Sequence, residues 1–137
     1  MNLTKSLIDQ ISHNVIGAAI EVHRHLGPGL LEEIYKDAMI IELSLRNINF
    51  EVEKNIDVNY KGHVLNRKYR QDIIVENLII VELKAIDAIH PIHKAKLATY
   101  LLLNEKPKGI LFNFNVLNLT KEGMVPWVNQ YYSDLPA

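Results

Sequence analysis

Residues 70–84 read Arg70-Gln71-Asp72-Ile73-Ile74-Val75-Glu76-Asn77-Leu78-Ile79-Ile80-Val81-Glu82-Leu83-Lys84. Two β-branched runs flank a short polar break, which predicts an antiparallel hairpin in the middle of a sheet covered on both faces. Three ionisable side chains, Asp72, Glu82 and Lys84, stand in or beside these apolar strands, where an unpaired charge is costly to bury. Glu82 and Lys84 are two residues apart, so an extended strand turns both to one face and Leu83 to the other. The placement of Asp72 depends on register. A hairpin pivoting on Asn77 sets Asp72 directly opposite Glu82, whereas a two-residue turn at Glu76-Asn77 pairs Asp72 with Val81 and parts the carboxylates unless a bulge restores the parity.

Two carboxylates one strand spacing apart repel each other unless a cation lies between them. Hard oxygen ligands in a chain without cysteine favour magnesium, with manganese as its substitute. A lysine beside such an ion can orient or help deprotonate the attacking water, or stabilise charge growing on a phosphate, so the pattern points to phosphodiester hydrolysis. A salt bridge between Lys84 and one carboxylate, with the other solvated at the sheet edge, accounts for the same three residues without chemistry. Spacing alone does not separate the two readings.

Outward from the hairpin, Leu7, Ile8, Ile11, Val15, Ala18, Ala19, Val22 and Leu26 recur at three- and four-residue steps and predict a long amphipathic helix from Leu3 to Leu26. Gly27-Pro28-Gly29 stops it. Leu31, Ile34, Tyr35, Ala38, Met39, Ile41, Glu42 and Leu45 continue helical spacing up to Arg46-Asn47. From Phe50 the period changes to two, with a turn predicted at Tyr60-Lys61-Gly62-His63. A third helix is expected from Pro91 to about Asn104, a buried strand over 109–116 and a last short strand around 125–128. The tail 131–137 is expected to fray. Helices on both sides of a strand cluster give an α/β or α+β layered fold.

The 137 residues, 48% of them hydrophobic, suit one globular domain over 1–137 and exclude disorder as a starting point. The absence of cysteine removes disulfides, thiolate zinc sites and cysteine nucleophiles together. A formal charge of −1 excludes binding to nucleic acid through bulk basicity, which leaves a local basic patch. No apolar run reaches the length of a membrane span and the first residues lack the apolar block of a secretory signal, so a soluble cytoplasmic protein is expected, with no membrane partner.

Asp72, nine residues, and then Glu82-Leu83-Lys84 resembles the core of the PD-(D/E)XK nuclease superfamily. Gly29-Leu30-Leu31-Glu32-Glu33-Ile34-Tyr35 is similar to the motif that names its GxxExxY branch. The resemblance runs from about Val15 to Asn129 and takes in Leu26-Gly27-Pro28-Gly29, the approach Tyr69-Arg70-x-Asp72, and Asn113-Phe114. It implies a restriction-endonuclease-like αβββαβ core, with a mixed sheet of about four strands flanked by helices and a metal site at one end of the central hairpin. Carried over, Asp72 and Glu82 bind Mg2+ (or Mn2+) together with the Leu83 carbonyl. Lys84 acts on the attacking water, and Glu32 completes or supports the site. Glu32 has an ordinary explanation as well, because the first turn of a helix favours acidic residues; Glu33 is assigned to that role.

One departure from the family's pattern concerns the helix after the hairpin. A glutamine usually stands four residues before a tyrosine there, and this chain has Lys96 ahead of Tyr100. Lysine brings a full cation and no acceptor, so Lys96 either holds a substrate phosphate, weakens metal affinity by repulsion, or points to solvent. Arg70, Lys96 and Tyr100 are the candidate substrate contacts, although tyrosines of this kind are often packing aromatics. Lys61, Arg67, Lys68 and Arg70 form a basic stretch, and Lys94 joins Lys96 on the later helix. His90 with His93, and His23 with His25, are spaced as zinc pairs, but neither has a third ligand nearby in sequence. Trp127 is expected in a core or an interface.

The reading is a magnesium-dependent nuclease acting on DNA or RNA. The alternative is a catalytically weak or inactive nuclease-fold module that binds nucleic acid or a protein partner. A homodimer is suggested only by the length of the first helix.

Overall fold

The parity of the central strand decides which side chains meet which helices, and it follows from the core. The computed structural model describes residues 2–52, 55–70 and 73–137, with only the backbone described at 55–57 and 66–70; Asp72 lies outside the described residues. In chain order the elements are α1 (Lys5–Leu26), α2 (Glu32–Leu45), β1 (Phe50–Val52), β2 (Asn55–Tyr60), β3 (His63–Arg70), β4 (Ile73–Val75), β5 (Ile79–Lys84), α3 (Pro91–Leu103), β6 (Lys108–Asn113), α4 (Leu119–Glu122), β7 (Met124–Val128) and α5 (Gln130–Ser133). Five strands form one mixed sheet in the order β1-β4-β5-β6-β7, and β2 and β3 form a separate two-stranded ribbon. The expected layered α/β architecture is present, with one more strand in the main sheet than the four anticipated.

β4 and β5 are antiparallel, with Ile73 opposite Val81, Ile74 opposite Ile80 and Val75 opposite Ile79. The turn combines both sequence alternatives. Glu76 and Asn77 each have positive φ (52° and 56°), as in the primed turns whose twist suits a hairpin, and the Leu78 N–H donates to the Val75 carbonyl at 2.9 Å. Leu78 is then an extra residue outside the ladder, so the strand pairs centre on Asn77. The chain tolerates left-handed backbone at Glu76 because the turn is anchored: Glu76 exchanges hydrogen bonds with Asn49, and Asn77 Oδ1 accepts from Lys106 Nζ at 2.9 Å.

Side chains of the hairpin divide between two apolar clusters. Ile73, Val75, Ile79, Val81 and Leu83 join Ile110, Phe112 and Phe114 against α1 and α2, whereas Ile74, Ile80 and Leu111 pack against Leu97 and Leu101 of α3. Burying each of these aliphatic side chains is worth about 1.5–3 kcal/mol, so a one-residue slip would expose a whole face and the register is strongly fixed. β5 and β6 are parallel, which requires a crossover, and α3 supplies it. The fit of α3 on β6 is close: a Cβ at Gly109 would lie 2.7 Å from a Leu97 methyl.

Thr4 caps α1, its hydroxyl accepting the Leu7 N–H at 3.1 Å, and the helix ends at Gly27 with φ 69°. The apolar spacing of α2 overstates its burial. Only Tyr35, Met39 and Leu43 are buried, while Leu31, Ile34, Ile41 and Leu45 are exposed, because α2 touches the sheet and α1 along a narrower stripe than its sequence offers. The tail does not fray as expected. The Lys5 N–H donates to the Pro136 carbonyl at 2.8 Å and the Tyr132 hydroxyl to Asp9 at 2.9 Å, so the start of α1 holds it. Trp127 is 40% exposed on the edge strand β7 and is not a core residue. Among the described residues no helix is long and apolar enough to cross a membrane.

Candidate active site

Glu82 and Lys84 continue the parity of Ile80, so both leave β5 on the α3 side of the sheet, and Leu83 goes to the α2 side. Glu82 is 9% exposed at the carboxyl-terminal end of the central strand, a position that puts a carboxylate at the edge of an apolar layer. Such a group is expensive to keep ionised without a cationic partner. A small cavity of about 60 Å3 opens beside it, lined by Glu82, Lys84, His93, Lys96, Leu97, Tyr100 and Leu111. That space holds a few waters or the oxygens of a phosphate, and is too small for a nucleobase. Four residues singled out from the sequence, Glu82, Lys84, Lys96 and Tyr100, therefore meet in one place. A larger hollow of about 540 Å3 lies at the turn end of the hairpin against α1, lined by groups such as Leu3, Leu7, Ile11 and Asn77, and holds none of the candidate site residues.

Glu32 is not in that cavity. It is exposed in the first turn of α2 and lines a different groove with Glu33, Lys36, Asp37, Ile40, Val52 and Leu83. Glu32 and Glu82 thus line separate hollows, and Leu83 lines the one with Glu32. Asp72 lies outside the described residues, as does the side chain of Arg70, whose backbone pairs with Asn55 at the end of β3. The β4–β5 register is the one in which pairs centre on Asn77, the register the carboxylate pair requires. Among the described residues no group of three or more His, Asp or Glu gathers in a way that could hold a metal ion.

The loop from β5 to α3 is held by Asn113, the residue paired with Lys84 across the parallel strands. Asn113 is 1% exposed; its Oδ1 accepts from Ile86 N–H at 3.0 Å and its Nδ2 donates to the Ile86 carbonyl at 3.0 Å. The Phe114 N–H donates to the Lys84 carbonyl at 2.9 Å, so the backbone carrying Lys84 is fixed from β6. Tyr35 does comparable work for the preceding glycine loop. Its hydroxyl donates to the Gly27 carbonyl at 2.6 Å and accepts from Leu30 N–H at 3.2 Å, and its ring stacks on Phe114 with centroids 4.6 Å apart. Tyr35 is fully buried and shapes the loop from inside.

A model of the PD-(D/E)XK nuclease superfamily matches residues 9–125. The chain belongs to this superfamily. The match takes in most of α1, the whole of α2 and α3, and the strands from β1 to β6 with the start of β7, including the Glu82-Leu83-Lys84 end of β5. No curated protein and no solved structure matches the chain.

His93 is the pocket residue that sequence reasoning did not assign to the site. Its backbone lies in the first turn of α3, and its Nδ1 accepts the His90 N–H at 2.8 Å. Partial burial, followed by the charges of Lys84, His90 and Lys96, holds its imidazole below the usual histidine range. The signal was legible: His93, Lys96 and Tyr100 follow one another at helical steps of three and four and so share a face. The zinc readings of the histidines do not gather ligands. His23 meets the Val116 carbonyl at 2.8 Å and His25 meets Glu21 at 2.9 Å. Lys94 lines a different hollow, with Asp87 and Glu122. Lys61 sits in the β2–β3 turn over the Tyr60 ring.

Proposed function

We propose that the chain is a magnesium-dependent nuclease of the GxxExxY branch, hydrolysing phosphodiester bonds in DNA or RNA. The observation that carries this is the buried Glu82 carboxylate beside Lys84 on one face of the central strand, opening into a cavity of phosphate dimensions. The donor set suits a hard divalent cation. Glu82 offers carboxylate oxygen and the adjacent Leu83 a carbonyl, the described hairpin pairs centre on Asn77, and no thiolate competes. In this reading Asp72, Glu82 and the Leu83 carbonyl hold the metal and Glu32 supports the site. A magnesium ion there supplies Lewis acidity toward the phosphate and lowers the cost of ionising the attacking water.

The chain's own side chains do the rest. Lys84, half-buried and held by β6, orients the water or takes up its proton, and its charge stabilises the phosphate as negative charge builds. Arg70, Lys96 and Tyr100 contact the nucleic-acid backbone. Support for the branch comes from Gly29, Glu32 and Tyr35, whose tyrosine closes the glycine loop onto the core.

The test is cleavage by the pure protein of single- and double-stranded DNA and RNA, with Mg2+ or Mn2+. The reading expects products from the wild type and none from Asp72→Ala. Equal cleavage by the variant marks a contaminant and ends the proposal. One observation favours a second reading: Lys96 brings an ammonium to the pocket that contains Glu82. A nuclease fold that binds nucleic acid without cutting it would show tight binding, no Mn2+ affinity and no cleavage.

A further inference from the structure

The cavity next to Glu82 has a wall that the nuclease reading leaves without a task. His93 is fixed there by its own helix start. The His90 N–H occupies Nδ1 as an acceptor, so the proton of the neutral ring resides on Nε2, the ring's remaining hydrogen-bonding atom. Lys84 from β5 and Lys96 from α3 line the same cavity, as do Tyr100 and the Glu82 carboxylate. Two ammonium groups and an N–H donor around a space of about 60 Å3 make a receptor for a small, multiply charged oxyanion.

We infer that His93 is a substrate-binding residue, its Nε2–H donating to a non-bridging oxygen of a nucleic-acid phosphate seated between Lys84 and Lys96. This deepens the proposed function and rests on it for the identity of the ligand. A neutral donor has a specific value in this place. Beside two lysines a third cation would add repulsion to the empty pocket, whereas an imidazole N–H adds a directional contact without charge. Lys96 then supplies charge where the family's usual glutamine supplies a neutral amide, and His93 supplies a neutral hydrogen bond beside it. The Glu82 carboxylate lines the same cavity, so a divalent cation that compensates its charge strengthens phosphate binding there.

Two substitutions separate binding from architecture. His93→Asn keeps an acceptor at the position of Nδ1 and so preserves the helix start, but lacks a donor at the reach of Nε2. His93→Gln places an amide N–H near the position of Nε2. With an oligonucleotide that the wild type cleaves in Mn2+, His93→Asn is expected to raise KM roughly ten-fold or more with a smaller change in kcat, and His93→Gln to recover part of the loss. Manganese affinity by calorimetry stays at the wild-type value in both. Wild-type KM in His93→Asn, or an equal loss in both variants with intact folding, overturns the inference while leaving the nuclease reading standing.

A second measurement needs no turnover and no variant. The imidazole 15N resonances of the wild-type protein report the Nε2–H tautomer of His93 and are expected to shift when a 5′-phosphorylated hexanucleotide is added with Ca2+ in place of Mg2+. Unmoved His93 signals at a saturating concentration overturn the inference. Shifted His93 signals in a protein that never cleaves sustain it and overturn the nuclease reading instead.

Discussion

Asn113 grips Ile86 at both of its backbone polar groups, taking the N–H and giving to the carbonyl at 3.0 Å each. Since Asn113 pairs with Lys84 across β5 and β6, this two-point clamp fixes the chain two residues beyond the lysine and sets the direction of the loop that leads to α3. The strand bearing Glu82 and Lys84 and the helix bearing His93, Lys96 and Tyr100 are thereby tied to one amide side chain.

Replacing that amide tests the clamp. Asn113→Ala removes both bonds to Ile86 and the 3.2 Å bond from Asn115 N–H. With the site this buried, the loss of stability is expected at about 2–4 kcal/mol by urea denaturation. Asn113→Asp keeps the acceptor and loses the donor, and is expected to fall between the variant and the wild type at neutral pH. A midpoint for Asn113→Ala within error of the wild type rules out the clamp.

Gly123 protects the same residue from behind. A Cβ there would lie 2.2 Å from the Asn113 carbonyl oxygen, a backbone atom that cannot swing aside. The Asn113 N–H also donates to the Gly123 carbonyl at 2.7 Å. Gly123→Ala is expected to cost about 3 kcal/mol, and thermal unfolding compared with the wild type measures it.

Tyr35→Phe keeps the ring on Phe114 and deletes the hydroxyl that joins Gly27 and Leu30. The expected cost is about 1–2 kcal/mol, accompanied by faster hydrogen exchange in the glycine loop. Unchanged exchange at 27–31 would mean that the stacked ring, and not the hydroxyl, orders the loop.

Metal binding to the folded chain alone raises its stability by mass action. At a hundred times Kd the gain is about 2.7 kcal/mol, a shift of roughly 9 °C in the thermal midpoint of a chain this size. The nuclease reading expects Mn2+ to raise the midpoint of the wild type and to leave Asp72→Asn and Glu82→Gln where they were. Equal shifts in all three proteins place the ion elsewhere.

His93 contributes a pH dependence whose sign is fixed by its depressed pKa. Partial burial and then the charge of Lys84, with His90 and Lys96 behind, favour its neutral form in the fold. Its contribution is intact above the ordinary value of 6.5 and is lost as pH falls from there through the folded value, because the unfolded chain takes up the proton first. The comparison of wild type with the His93 variant, rather than the wild-type profile alone, assigns the effect to this ring. His93→Asn is expected to flatten the stability profile just below 6.5, the small change fitting a ring that is largely hydrated; an unaltered slope removes His93 from the account.

Local sequence sufficed where a single element carries its own pattern. The 3.6 period drew α1 and α3 almost to the residue, and Lys61-Gly62 set the β2–β3 turn through positive φ at both positions. The two-residue period of β5 put Glu82 and Lys84 on one face with Leu83 opposed, since a strand's pleat leaves no other choice. The helical face shared by His93, Lys96 and Tyr100 was present in the same way. The amino acids alone therefore determined the three long helices, the central hairpin and the mixed α/β class, but not the short helices α4 and α5.

Whatever depends on which face meets which neighbour came from the assembled chain. The turn at Glu76-Asn77 looks like a two-residue hairpin turn and pairs as a three-residue one, because burying β4 and β5 between two helical layers favours the register that the Leu78 bulge permits. α2 shows more apolar residues than it buries, and the tail is held because Tyr132 and Pro136 find partners at the start of α1, more than a hundred residues away in sequence. Glu32 and Glu82 line separate hollows for a related reason: contacts between distant segments are set by the packing of layers, and no periodicity within one segment encodes them.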